Sequence, residues 1–249
     1  SYYLQTVIAV FMVLFGVNFN VYFFMLMRRW SDALHNTEVK AYFAVILTSV
    51  IVIGCNILHM MPTVYDAFHH AFFAVATIIT TTGFATVDFN LWPELSRMIL
   101  VLLMFFGACA GSTGGGIKVS RFVILTKATA AELRKLLHPR SVRVMTIDGK
   151  QVSRETIQGV QGYLVVYLMI FVASILIVSL DNYDMTTSVT AVAATLNNIG
   201  PGLNLVGPTG NYAFFSPLSK IILTLDMLFG RLELFPMVIL LLPSTWRKH

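Results

Sequence analysis

Long apolar runs alternate with short polar stretches along this chain, and the runs come in two lengths. Residues 4–27, 41–61 and about 158–180 each approach the roughly 20 apolar residues that a helix needs to cross a bilayer. The first closes on Arg28-Arg29-Trp30, a basic and aromatic interface anchor, and the second stops at Pro62. Two other apolar segments are too short to span. One starts at Thr63-Val64-Tyr65-Asp66, a start of the capping-box kind, and offers about a dozen helix-compatible residues ending near Ile79. In the other, Asp184 caps a helix predicted from Met185 to about Leu196. Each short helix runs into a turn, Thr80-Thr81-Thr82-Gly83-Phe84 after the first and Asn197-Asn198-Ile199-Gly200-Pro201-Gly202 after the second.

A half-helix of this kind points its carboxyl end, carrying about half a negative charge, at whatever lies beyond it. The turn that follows can offer backbone carbonyls to a dehydrated cation, as pore loops do, and Gly83 supplies the backbone freedom this requires. Taken alone, the first turn is equally a buried helix ended by a glycine cap. Repetition favours the pore loop. Asp66 leads to Gly83, and Asp184 to Gly200, over nearly the same distance. Ser96-Arg97, Ile99-Leu100, Met104 and Phe106-Gly107 recur in order and spacing as Ser219-Lys220, Ile222-Leu223, Met227 and Phe229-Gly230, and a third pair, Phe15-Gly16, lies in the first run. The repeating unit is an outer span, a capped half-helix, a glycine turn and an inner span. It is present twice in full, after the inner span of an earlier copy.

One inner span is interrupted. Residues 98–106 read as helix, but Gly107-Ala108-Cys109-Ala110-Gly111-Ser112-Thr113-Gly114-Gly115-Gly116 follows at membrane depth, before helix resumes from Ile117-Lys118 to about Leu125. Each glycine costs a helix about 1 kcal/mol relative to alanine, so the stretch is predicted to unwind. Non-helical backbone at that depth survives only buried in protein or lining a water-filled cavity. It is no phosphate loop, since Gly116 is followed by Ile117 and no strand precedes it. Helix packing through Gly107 and Gly111 is an alternative that leaves Gly114 to Gly116 unexplained.

Composition agrees with a membrane protein: of 249 residues 57% are hydrophobic and 12% charged, against roughly 25% charged in soluble domains. Net charge is +5, and Arg28, Arg29, Lys40, Lys127, Arg134, Lys135, Arg140, Arg143, Lys150, Arg154, Arg247 and Lys248 fall in three polar stretches, which the positive-inside rule places in the cytoplasm. That arrangement follows topology instead of forming one patch, so nucleic acid is not a partner. Asp66, Asp88, Glu94, Asp181 and Asp184 fall on the other side. Residues 127–154 form the main cytoplasmic linker, helical over 128–137 with a turn at Asp148-Gly149. Cys55 and Cys109 lie in apolar segments, which argues against a disulfide framework. No signal peptide is recognisable at the start of the first run, and a chain opening on Ser1 inside a hydrophobic helix is expected to be cut from something longer. No nucleophile and base pair, metal-ligand cluster or cofactor fingerprint points to an enzyme. Arg231 and Glu233 sit in an apolar span, where charge marks function by default. Asp226, in the same span, is expected to hydrogen-bond a short helix, and His69 and His70 are expected to serve packing and hydrogen bonding.

The two turns, Ala110-Gly111-Ser112-Thr113-Gly114-Gly115-Gly116-Ile117-Lys118 and Gly230-Arg231-Leu232-Glu233 together resemble the TrkH/TrkG/KtrB potassium-uptake proteins of the Trk/Ktr/HKT superfamily, the Trk branch most closely. The resemblance covers essentially the whole chain and implies an all-α integral membrane fold of four M1-P-M2 pore-loop repeats, as in potassium channels. By that pattern residues 1–30 are the inner helix of the second repeat, 36–126 the third repeat, 127–156 the basic linker and 157–249 the fourth repeat. The resemblance implies potassium uptake across the inner, cytoplasmic membrane by a multi-pass protein, with potassium as substrate and no cofactor. Gly83 and Gly200 would be the key filter glycines, the carbonyls of Thr81, Thr82, Asn198 and Ile199 would be among the potassium ligands, and Phe84 and Pro201 would complete the filter stretches. The gate implied is the stretch carrying Gly107, Gly111, Ser112, Thr113, Gly114, Gly115 and Gly116, with Lys118 and Arg231. Asn204 stands after Leu203, where many Trk-type members are expected to carry Gly. Also implied are a homodimer of membrane subunits and a cytoplasmic nucleotide-binding regulatory ring docked on the basic linker. The alternative is an ion-coupled secondary transporter, a potassium symporter with proton or sodium, although the copies here run parallel and not inverted.

Overall fold

The computed structural model describes residues 1–138, 145–232 and 234–241. Arg140, Arg143, Glu233, Arg247 and Lys248, singled out above, lie outside them. In order, the helices are α1 (Tyr2–Phe15), α2 (Phe19–Leu26), α3 (Trp30–Leu34), α4 (Thr37–Ile57), α5 (Val64–Ile79), α6 (Glu94–Phe105), α7 (Val119–Leu137), α8 (Arg154–Val178), α9 (Met185–Leu196), α10 (Pro217–Arg231) and α11 (Leu234–Leu241). A two-residue antiparallel hairpin, β1 (Thr146–Ile147) and β2 (Lys150–Gln151), turns at Asp148-Gly149 before α8. By length and composition, α4 with its 3₁₀ extension and α8 with its own are long and apolar enough to cross a membrane.

Caps set the helix starts. Asn36 accepts from the Val39 amide, Thr63 from Asp66, Ser153 from Thr156, Asp184 from Thr187 and Ser216 from Ser219. The long helices present Leu47, Ile51, Val165, Met169, Val172 and Leu176 outward, as lipid-facing surfaces do. The short helices are the buried ones: α5 is enclosed over residues 73–79 and α9 over 190–196, through alanines and threonines that let neighbours approach. An apolar helix buried on all sides is a core element, and here the two helices too short to span are the most enclosed, packed against residues such as Met12 of α1, Tyr42 and Ile53 of α4, and Leu100 and Met104 of α6.

The first apolar run is not one straight span. It divides into α1 and α2, bent by 90° at the break. A Cβ on Gly16 would lie 2.2 Å from the Tyr42 hydroxyl, and Asn18 restarts the helix by capping Asn20. The carbonyls left at the end of α1 all find partners: Val13 from the Tyr42 hydroxyl (3.1 Å), Leu14 from Tyr22 (2.6 Å), Phe15 from Thr113 (3.5 Å) and Gly16 from the Cys109 amide (3.0 Å). Helix also resumes after the glycine-rich stretch as one piece, α7, which runs unbroken through residue 127 into the expected linker.

Candidate functional site

Both short helices end in the same hydrogen-bonded turn. The Thr82 amide donates to the Thr77 carbonyl (2.9 Å) and Thr81 to Ile78 (3.0 Å); the Ile199 amide donates to Ala194 (2.8 Å) and Asn198 to Thr195 (3.0 Å). These are the paired bonds of a Schellman end, and they place Thr81 (φ 56°) and Asn198 (φ 57°) in the left-handed region. Gly83 and Gly200 donate to the same two carbonyls and are also left-handed, at φ 82° and 107°. Asparagine tolerates that region; a β-branched threonine is an outlier there, at a cost on the order of 1–3 kcal/mol that its surroundings must impose. Each side chain is held accordingly. Thr81 Oγ1 accepts from the Gly115 amide (2.8 Å), and Asn198 Nδ2 donates to the Met227 carbonyl (3.0 Å). The turns also meet, since a Cβ on Gly83 would stand 2.0 Å from the Ile199 carbonyl oxygen and 3.2 Å from Pro201. The Tyr212 hydroxyl donates to the Gly200 carbonyl (2.6 Å), and Phe84 is exposed.

Residues 106–118 are not helical, so packing of two helices through Gly107 and Gly111 does not occur. The segment is a loop closed at its base by a parallel bridge between Phe106 and Ile117, with the Gly107 amide donating to Ile117 (2.8 Å) and Val119 to Ala108 (3.3 Å). A Cβ on Gly107 would lie 2.3 Å from the Gly115 carbonyl, and one on Gly115 2.8 Å from the Asn197 carbonyl. Only glycine lets the loop fold on itself while touching the second turn. Ser112 Oγ turns back to the Cys109 carbonyl (2.5 Å), and Lys118 Nζ donates to the Gly114 carbonyl. The Arg231 guanidinium, from the last turn of α10, donates to the Thr113 carbonyl (3.1 Å). A cavity of about 380 Å³ lies between these parts, lined by Phe11 and Phe15 of α1, Thr80 and Thr82 of the first turn, and Thr113.

Several contacts were not legible in the sequence. Glu38, buried in the first turn of α4, accepts from the Ala110 amide (2.6 Å) and the Ser120 amide (3.0 Å). Its signal was a single acid opening an apolar span. Asn204, left-handed at φ 53°, takes Arg97 on its side-chain oxygen (2.9 Å), gives its side-chain amide to Asp184 (2.9 Å) and pairs through its backbone with Asn90. Asp226 does not reach a short helix: its Oδ1 accepts from Ser174 of α8 (2.7 Å), because α8 and α10 pack together there. His69 pairs with Gln5 (2.9 Å) and His70 with Thr86 (3.1 Å).

The model of the TrkH family, described as a cation transport protein, matches residues 1–248. The Trk system potassium uptake protein TrkH of Vibrio parahaemolyticus is 35% identical over 100% of this chain and 52% of its own length. TrkH of Salmonella typhimurium is 35% identical over 98% of this chain and 51% of its own, and TrkG of Escherichia coli is 31% identical over 100% and 51%. The crystal structure of the potassium transporter TrkH from Vibrio parahaemolyticus matches 99% of this chain and 53% of that one, with a TM-score of 0.90 at 35% identity. The fold is thus a helical membrane transporter fold, and the chain spans about half the length of the curated relatives it matches. On the extent of the family match, this chain belongs to the TrkH family of cation transport proteins.

Proposed function

We propose that this chain supplies two of the filters, and the gate, of a potassium-uptake pathway. The observation that carries this is the contact of both Schellman-ended turns with one glycine-rich loop, through Thr81 to Gly115 and through Asn197 beside Gly115. Two aligned helix ends bring partial negative charge to one point, where carbonyls of Thr81, Thr82, Asn198 and Ile199 replace the hydration shell of a cation. The loop from Gly107 to Gly116 lies across the route as the gate, with Arg231 adding positive charge there. Residues 36–126 and 157–249 are then the third and fourth M1-P-M2 repeats, joined by the linker 127–156, with residues 1–30 closing the second.

The relatives' names support potassium as the ion. The test is uptake by the full-length protein in liposomes. A flux that follows the potassium gradient and ignores a proton gradient is expected; no potassium flux overturns the proposal. One observation favours a proton-coupled symporter: Oδ2 of the buried Asp226 has no hydrogen-bond partner among the described residues. Under that reading flux follows the proton gradient, and Asp226→Asn abolishes the dependence.

The basic linker fits an acidic cytoplasmic partner, which the resemblance names as a nucleotide-binding ring on a homodimer of membrane subunits. Reversing Arg134, Lys135, Arg140 and Arg143 to glutamate is expected to lower co-purification of the ring. Retained binding would leave these residues to lipid headgroups.

A further inference from the structure

The glycine-rich loop is held from two sides by opposite charges. Arg231 donates to its Thr113 carbonyl, while Glu38 accepts from its Ala110 amide and from Ser120 just beyond it. A loop of small residues has few side-chain contacts to fix it, so these bonds, with those of the Gly115 amide to Thr81 and the Cys109 amide to Gly16, set its position. Glu38 lies one residue from Thr37, whose amide (2.8 Å) and hydroxyl both donate to Asp148 Oδ1 at the tip of the cytoplasmic hairpin. The hairpin is also tied to α7, the helix leaving the loop, by Lys127 Nζ on the Thr146 carbonyl (3.2 Å). Asn18, at the break between α1 and α2, reaches the other oxygen of Glu38 (3.5 Å). A continuous set of bonds therefore runs from the cytoplasmic hairpin through the first turn of α4 to the loop.

We infer that Glu38 is a positioning residue for the loop, and that the hairpin acts on the loop through Asp148, Thr37 and Glu38. This rests on the reading of the loop as a gate. With Asp148 seated on Thr37, the first turn of α4 is fixed and Glu38 holds the loop across the route. When a cytoplasmic partner draws the hairpin away, that turn loosens and the loop is released. Asp148 is left-handed (φ 50°), so Asp148→Gly removes the carboxylate without backbone cost, while Asp148→Asn keeps both the conformation and an acceptor.

The test uses the full-length protein in liposomes and two readouts. Cys109, buried in the loop, reports loop position by its alkylation rate relative to the same cysteine in the denatured protein, read by mass spectrometry; potassium flux reports function. Asp148→Gly and Glu38→Ala are each expected to raise Cys109 alkylation and flux at least about fivefold, the lower end of coupling between linked sites. Asp148→Asn should stay near wild type, and Glu38→Gln should fall between wild type and Glu38→Ala. The double variant should exceed neither single by more than about twofold, since both lie on one path. Asp148→Gly with wild-type Cys109 alkylation overturns the inference, as do effects that multiply. If Glu38→Ala does not fold, Asp148→Gly against Asp148→Asn decides alone. Faster alkylation without altered flux upholds Glu38 as the loop's anchor and overturns the gate.

Discussion

Thr81 Oγ1 accepts a hydrogen bond from the Gly115 amide, so the turn that ends α5 and the glycine-rich loop share a bond. It joins a strained residue to a segment with little packing of its own. Thr81→Val keeps the β-branch and the left-handed strain but removes the acceptor, leaving the buried Gly115 amide unpaired at about 1–3 kcal/mol. A lower melting temperature in detergent is expected for Thr81→Val, and Thr81→Ser, which restores the acceptor, should recover it. Equal melting of Thr81→Val and wild type would mean the bond contributes nothing.

Gly83 is constrained twice, by φ 82° and by the Ile199 carbonyl where its Cβ would be. Gly83→Ser therefore displaces a carbonyl of the neighbouring turn as well as straining its own. Potassium-over-sodium discrimination is expected to fall by roughly an order of magnitude, on the scale of 1.4 kcal/mol per tenfold. Relative uptake of the two ions in liposomes measures it, and unchanged selectivity would remove Gly83 from the filter.

Asp184 caps α9. Burial pushes its carboxyl up, but bonds from the Thr187 hydroxyl and amide and from Asn204 outweigh this and hold it below its ordinary value of 3.8. A depressed carboxylate stabilises the fold above the unfolded value and loses that contribution as pH falls through the folded one. The melting temperature is therefore expected to hold from pH 7 to about 5 and to drop below about 4. Asp184→Asn should flatten that drop. A drop of the same size in Asp184→Asn would assign it to other groups.

Much of this arrangement was legible because caps and glycines act locally. Thr63 and Asp184 fix where α5 and α9 start, and five glycines in ten residues fix where a helix cannot continue. What stayed hidden was tertiary. The bend at Gly16 depends on the Tyr42 hydroxyl, from a helix distant in sequence, and hydropathy shows only an unbroken apolar run. Left-handed Thr81 runs against its own preference and is held by Gly115; Glu38 gains meaning only once Ala110 and Ser120 come to it. A lone acid in an apolar span shows that a partner exists but does not say which backbone.

Arg231 is the donor that reaches the loop from α10, at 3.1 Å from the Thr113 carbonyl. Its residue is exposed, so on the proposed reading of the loop as a gate the guanidinium would both position the loop and raise the barrier to a passing cation. Arg231→Ala is expected to increase potassium flux and to weaken dependence on a cytoplasmic partner while leaving selectivity nearly unchanged, because among the described residues its guanidinium bonds to the loop and to neither of the proposed filter turns. Arg231→Lys keeps the charge but not the planar fork, so it should restore the barrier more than the loop position. Thermal stability in detergent and flux in liposomes, from one preparation, separate gating from a purely structural role. A structural Arg231 paired with a buried acid would make Arg231→Ala several kcal/mol less stable, as for other broken buried pairs, with no gain in flux per folded molecule. Undiminished stability with severalfold higher flux is the outcome the Thr113 contact predicts.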